Sequence, residues 1–451
     1  MSWGQGAVPG GVDRGRHAGR AAGGAPRRVP TARDGGRTSR TLPWPHTDDS
    51  AEADPRQRGP GLPAGRPRDE QGGPAIGRAE SPAENDLVIV LTYYTPYVSG
   101  LTNVARDVAE GLAARGWRVC VVASKHEQSL ATHEVINGVR VVRAPVLARV
   151  GKGTIGVNLT RLALREMRRS RVANLHLPLI EAGLLTRFAP IPVVSTYHCD
   201  VSLPPGVVNG AQREAVDRSS SSALRRSAAT IVSSEDYARR SRLWSVIAPN
   251  MVAIPPPCLP VSAGEPTYRR GRGFHVGFLG RLVEEKGVEH LVDAFLALDD
   301  PDSRLLIGGD HSRIAGGSVV DRVRAHAGGD DRIDLLGFVP DERLGDFYAS
   351  VDAFALPSVN AFEAFGIVQV VGMLAGVPAL VSDLPGVRVP VQRTGFGTIV
   401  PPADVPALRD GLVRLRDTPP DVTAGRAAAA TNFSVDSVLD AYEAVLTKAA
   451  G

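Results

Sequence analysis

Cysteine is scarce in this sequence: three residues in 451, at Cys120, Cys199 and Cys258. So few and so scattered, they exclude a disulfide framework and a four-ligand zinc site, and they suit a reducing compartment. Long apolar runs are missing as well. No stretch of eighteen apolar residues exists, and no apolar segment follows the N-terminal charges, so neither a spanning helix nor a signal peptide is expected and the chain is placed in the cytoplasm. Aromatic residues make up only 5%, and Ala, Val, Leu and Gly carry most of the 43% hydrophobic content, the composition of layered α/β folds. A strong charge of one sign is also absent. The net +4 is concentrated in residues 1–85, where 13 Arg face 10 acids, so the remainder is near neutral, which argues against a nucleic-acid partner.

What is present divides the chain. Residues 1–85 are rich in Gly, Pro, Arg and Asp and nearly lack β-branched and aromatic side chains, so they cannot bury enough apolar area to offset the entropy of ordering, and a disordered extension is expected. Order begins at "DLVIVLT", an apolar strand leading through "YYTPYVSGL" into a helix with Val104, Val108 and Leu112 on one face and Gly116 as its stop. "WRVCVVAS" follows as a second strand, which completes a βαβ unit of a doubly wound parallel sheet. "GVRVVRAP", "VANLHLP", "PVVSTYH" and "ATIVSS" continue the series. Between Asn250 and Gly273 the pattern breaks into Pro, Gly and charge, as a linker does. A second series runs through "FHVGFLG", "RLLIGG", "RIDLLGFV", "AFALPS", "PALVSD" and "GTIVP". The expected organisation is an extension at 1–85, Rossmann-like domains at 86–265 and 266–432, and a helix at 433–451 packing back on the first domain. Two such sheets face each other across a cleft, and ligands bind at the carboxyl ends of their strands.

Two segments carry chemistry. The loop "GFLGRLVEEKG" leaves a strand and presents Arg281 and Lys286 beside Gly280, a combination suited to a phosphate or diphosphate, although a solvated loop with two ordinary cations has the same spelling. In "FEAFGIVQVVGML", Glu363 stands before an apolar helix whose first-turn amides, at Phe365, Gly366 and Ile367, form an anion site. A carboxylate beside such donors does not attract phosphate, so it is expected to accept from neutral hydroxyls. The pair of features suggests a ligand with both phosphate and sugar.

With "SGLTNVARDVAEGLAARGW", "STYHCD", "VSSEDYA", "GRLVEEKG" and "EAFGIVQVVGMLAGVPALVSDLPG" in this order, residues 87–445 closely resemble the retaining GT-B glycosyltransferases of family 4. The resemblance implies an enzyme, a retaining hexosyltransferase, moving a sugar from a nucleotide-sugar donor to the hydroxyl of an acceptor that is a lipid, a glycan or a small metabolite. It implies that Arg281 and Lys286 bind the donor diphosphate, that Glu363 contacts the transferred sugar, and that His198 lies on the reactive side of that sugar. Ser99 and Gly100 match a Gly-Gly pair beside the diphosphate, and Gly337, Phe338 and Val339 fall where the family's backbone meets the nucleobase. No metal or other cofactor is required in the scheme, because the leaving phosphate helps deprotonate the acceptor.

The chain departs from the pattern at one place. The family's second glutamate, eight residues after the first, holds the ribose hydroxyls, and here that position is Val371. Gln369 does not replace it, being about 200° further round the helix. The alternative reading is therefore a weakened or non-catalytic sugar-nucleotide binder; a sugar-nucleotide epimerase is a third. Arg161, Arg165, Arg168 and Arg169 lie opposite Leu159, Leu162 and Met167, so the helix bearing them either faces solvent or touches the inner face of an anionic membrane.

Overall fold

The computed structural model describes residues 83–451 except 147, 151–152, 156, 202, 204–205, 310–318 and 361. The N-terminal extension and its expected disorder lie outside these residues up to position 82.

In chain order the strands are β1 (Asn85–Val90), β2 (Val119–Ser124), β3 (His133–Ile136), β4 (Val139–Ala144), β5 (Ala148–Val150), β6 (Gly153–Ile155), β7 (Ser170–Leu177), β8 (Val193–Tyr197), β9 (Ala229–Val232), β10 (Met251–Ala253), β11 (His275–Leu279), β12 (Arg304–Gly308), β13 (Ile333–Gly337), β14 (Ala353–Leu356), β15 (Ala379–Ser382) and β16 (Gly397–Val400). Among the described residues they form an eight-stranded sheet in the order β10-β9-β8-β7-β1-β2-β4-β3, a six-stranded sheet in the order β13-β12-β11-β14-β15-β16, and the separate pair β5-β6. Within the two large sheets every pairing is parallel except β3 with β4.

The first sheet is covered on both faces, which is why its strands read as continuous apolar runs. Val88 and Val90 point into one core with Cys120, Leu175 and Tyr197. Leu87 and Ile89, the alternate residues, point into the other with Val104, Val108 and Leu112 of the helix Gly100–Ala114. The last helix, Val435–Ala450, closes that second face: Val438, Leu439, Tyr442 and Leu446 are buried in the same cluster. Its acidic side is anchored by Arg115, which reaches Asp436, Asp440 and Glu443 at 3.0, 2.6 and 2.8 Å.

Two local expectations are corrected, and one strand was not anticipated. The segment read as a linker from Asn250 begins instead with β10, an edge strand pairing with β9 before the chain turns irregular. Strand β3 was invisible to the apolar pattern because it is a half-exposed edge, although Asn137-Gly138 between β3 and β4 is a hairpin signal. The arginine-bearing helix ends at Met167, so Arg168 and Arg169 lie beyond it, and Arg169 pairs with Glu84 at 2.9 Å. No helix among the described residues is long and apolar enough to cross a membrane.

Candidate active site

The site assembles where loops at the carboxyl ends of the two sheets meet, within one compact unit. On the second sheet, β11 runs into the loop bearing Arg281 and Lys286, and Gly280 N donates to Gly308 O at 3.1 Å while Gly309 N donates to Gly337 O at 2.7 Å. These bonds knit the ends of β11, β12 and β13. They leave Phe338 68% exposed just after β13, whereas Val339 is buried against Leu279 and Leu306.

The cation loop is docked on the loop that follows β14. Val359 N donates to Glu285 O at 3.0 Å, and Gly287, at φ +62°, lies so close that a Cβ there would stand 2.3 Å from Pro357 O. Only glycine satisfies both the left-handed backbone and the close approach. This docking brings Lys286 Nζ into a direct ion pair with Glu363, both side chains largely shielded from solvent. Arg281 turns elsewhere, half-exposed and 3.6 Å from Glu285.

Glu363 has a second task. Its Oε1 accepts from Gly366 N at 2.9 Å, so the Gly366 amide, expected to be open to a ligand, is already engaged. Gly366 ends the loop in the left-handed region and the helix Ile367–Ala375 starts after it. Phe365 is buried edge-on against Phe433, with ring centroids 5.9 Å apart, and Ile367 is half-buried. Gln369 is fully buried and donates to Phe365 O and Val387 O, both at 2.8 Å, so it braces the helix start from behind. Val371 is partly buried against the cluster of Cys258, Phe365, Val370 and Phe433. Its surroundings are apolar.

On the first sheet, Ser99 caps the helix Gly100–Ala114, its Oγ accepting from Thr102 N at 3.1 Å. Apart from its chain neighbours and its own helix, nothing among the described residues lies within 4 Å of the place a Gly100 Cβ would take, so that side of the helix start is open. The preceding loop is held by Arg143, fully buried, which donates to Thr95 O at 2.6 Å and pairs with Glu134. His198 follows β8. Next to it Cys199 packs in the core cluster that also receives Ala364, so the Glu363-Ala364 loop and the His198-Cys199 loop are neighbours. Burial, followed by the negative charges of Asp200 and Glu363, pushes the Cys199 thiol up to about 11.

Behind His198 stands a polar chain that sequence reasoning missed. His198 Nε2 is 2.9 Å from His176 Nδ1, His176 Nε2 is 2.8 Å from Asn174 Oδ1, and Asn174 Nδ2 donates to Val194 O and Thr196 Oγ1 at 3.1 and 3.0 Å. Thr196 shares its sheet face with Val194, which packs in one cluster with Tyr442 of the last helix. Burial lowers His198 to about 4 and lowers His176 well below the ordinary histidine value, so both rings are neutral near pH 7. The available signal was Asn and His at i and i+2 in the stretch 172–177, otherwise apolar on both faces, since buried polar groups need partners.

The second contact between the sheets' loops also lay beyond the motifs. Arg388 forks onto Asp236, with Nη2 and Nε at 2.7 and 3.0 Å from its two carboxylate oxygens, and Gly386 N donates to the same carboxylate at 2.9 Å. The fork holds the Asp236 carboxyl below its usual value against the opposing effect of burial.

The candidate residues thus lie on loops of two large parallel-sheet domains. Family models agree: residues 99–257 match the glycosyl transferase 4-like domain, and residues 273–418 match glycosyl transferases group 1. The chain is a GT-B glycosyltransferase of family 4. It is similar to a 2-deoxystreptamine glucosyltransferase of Streptomyces kanamyceticus, with 29% identity covering 69% of this chain and 89% of that protein. It is also similar to a phosphatidyl-myo-inositol mannosyltransferase of Mycobacterium leprae, with 27% identity over 72% and 86%. Among solved structures, sucrose-phosphate synthase from Thermosynechococcus elongatus superposes with a TM-score of 0.67 at 19% identity, covering 81% of this chain and 98% of that one. Anabaena HepE in complex with UDP-glucose gives 0.62 at 17%, covering 81% and 100%. At these identities the structures speak for the fold.

Proposed function

We propose that the protein transfers a hexose from a nucleotide-sugar donor to an acceptor hydroxyl with retention of anomeric configuration. The observation that carries this is the meeting of Lys286, Glu363 and the start of the helix Ile367–Ala375 on one side with the His198-Cys199 loop on the other. Lys286 leaves Glu363 for the donor diphosphate, with Arg281 swinging from the surface to join it. Their positive charge stabilises the phosphate as the bond from the anomeric carbon to its oxygen breaks. Glu363, released, accepts from hydroxyls of the sugar, and His198 lies against the same sugar. The acceptor oxygen attacks the face that the phosphate leaves, and its proton passes to a phosphate oxygen. Preorganised position and charge then supply the catalysis, with no protein nucleophile and no metal in the scheme. The exposed Phe338 offers the nucleobase a ring beside the Gly337 backbone, and the open side of Gly100 admits the diphosphate.

UDP-glucose, the donor named with the Anabaena relative, is the first substrate to try, alongside GDP-mannose and ADP-glucose. Acceptors to try are aminocyclitols, inositol lipids and simple glycosides, following the named relatives. Release of nucleoside diphosphate together with an axial product linkage from an axial donor, read by proton NMR, is the expected result. An inverted linkage contradicts retention, and a changed sugar nucleotide without transfer points to epimerisation. A second reading, a weakened or non-catalytic binder, draws on Val371 alone; binding without turnover for every donor would favour it. The proposed seat is cytoplasmic, with Arg161 and Arg165, both exposed, as the side chains that would meet an anionic membrane.

A further inference from the structure

The buried chain behind His198 has a determinate proton order. Val194 O can only accept, so the Asn174 amide must turn Nδ2 towards it, and the Asn174 oxygen therefore faces His176. His176 Nε2 must then carry a hydrogen. The His176 ring is fully buried, and its two hydrogen-bond partners among the described residues are an amide and an imidazole, neither of which offsets a positive charge. Being neutral, it has one ring proton, already placed, so its Nδ1 is a bare lone pair. That lone pair faces His198 Nε2 at 2.9 Å, which must donate to it.

We propose that His176 is a positioning residue for sugar transfer: it holds the His198 ring with its proton on Nε2, directed inward, and so keeps Nδ1 as a fixed hydrogen-bond acceptor for a hydroxyl of the bound sugar. The order of the hydrogen bonds stands on the geometry alone, whereas the positioning role rests on the transfer reading above. Sheet register makes the device rigid. His176 lies opposite Thr196 in the β7-β8 pairing, Thr196 bonds Asn174, and Val194 on the same face packs with Tyr442, so the last helix backs the same chain. Without such backing a neutral imidazole exchanges its proton between two nitrogens and rotates freely.

The test uses the full chain labelled with nitrogen-15 at histidine. Long-range proton-nitrogen NMR should show His198 protonated at Nε2, with a coupling through the hydrogen bond to His176 Nδ1. A proton on His198 Nδ1, or no coupling, overturns the assignment. Turnover is then measured with UDP-glucose, GDP-mannose and ADP-glucose. His176→Leu should lower kcat by about ten- to a hundredfold, the range known for losing the hydrogen-bond partner that orients a metal-ligating imidazole, with little change in KM. His176→Gln, which still offers an acceptor and a donor, should recover much of the loss. Turnover of His176→Leu equal to the wild type overturns the positioning role. Absence of turnover with every donor overturns the transfer reading and that role together, while the coupling still decides the proton order.

Discussion

Lys286 and Glu363, 77 residues apart in sequence, are each other's counter-charge at the mouth of the site. On the proposed function the pairing makes donor binding an exchange, in which the diphosphate takes the cation and the freed carboxylate turns to the sugar. Two substitutions separate the halves. Lys286→Met is expected to lower turnover by about 10²–10³-fold, as removal of one charge-stabilising donor does. Glu363→Gln retains an oxygen for the Gly366 amide but leaves Lys286 uncompensated. It should therefore bind free UDP at least as tightly as wild type by calorimetry while turning over sugar nucleotides more slowly.

Val371, which the resemblance sets at the position of the family's second glutamate, packs against an apolar cluster. A hydrogen bond to a charged group contributes about 1.5–3 kcal/mol, so Val371→Glu should tighten nucleoside-diphosphate binding by roughly ten- to a hundredfold. The same carboxylate, facing Phe365 and Phe433 without a ligand, should lower the melting temperature, and saturating UDP should restore it. Titration with UDP, GDP and ADP checks this; no gain with any of them removes Val371 from the ribose site.

Ser99, which the resemblance sets against a family glycine, caps the helix Gly100–Ala114. Ser99→Ala should cost about 1 kcal/mol in urea denaturation, and Ser99→Gly only a few tenths. No measurable cost for Ser99→Ala would mean that the cap contributes nothing.

Gly386 joins the two sets of loops. It sits at φ +82°, and a Cβ there would lie 2.0 Å from Ala364 O, beside the bidentate Arg388–Asp236 pair. Gly386→Ala must displace the Glu363-Ala364 loop and adopt a strained backbone, worth about 1–3 kcal/mol. The expected result is lower stability with a raised donor KM. Arg388→Ala should raise KM in the same direction by loosening the same junction.

His176, fully buried, and His198, half-buried, make stability depend on pH. His198 falls from an ordinary 6.5 to about 4 in the fold, and His176 falls too, so between these values the unfolded chain binds protons that the native chain does not. Their contribution is fully present above about pH 6.5 and is lost as pH falls towards 4. Denaturation midpoints measured from pH 7.5 to 4.5 should drop more steeply for wild type than for a His176→Gln, His198→Asn double variant. Parallel curves would show that these rings do not set the slope.

Much of the fold was legible in order. Apolar runs of strand length separated by helical spacing and glycine stops located both sheets, because strands buried on two faces leave little freedom in composition. The edge strands β3 and β10 escaped, since an edge half in solvent relaxes that demand. At the site, the cation loop and the acid before the helix stood out as local motifs. His176, Asn174, Asp236 and Arg388 did not, because each acquires its role from a partner distant in the chain.

By itself the sequence determined the layered α/β architecture, the cation loop, the position of Glu363 and the absence of a carboxylate at Val371, all of which follow from residue type and local spacing. Tertiary structure decided the rest: that Lys286 pairs with Glu363, that Glu363 takes the Gly366 amide, and that His198 leans on His176. Those pairings depend on which strands lie side by side and how closely two loops dock, and the β7-β8 register that sets Thr196 opposite His176 is a non-local choice made by packing both faces of the sheet at once.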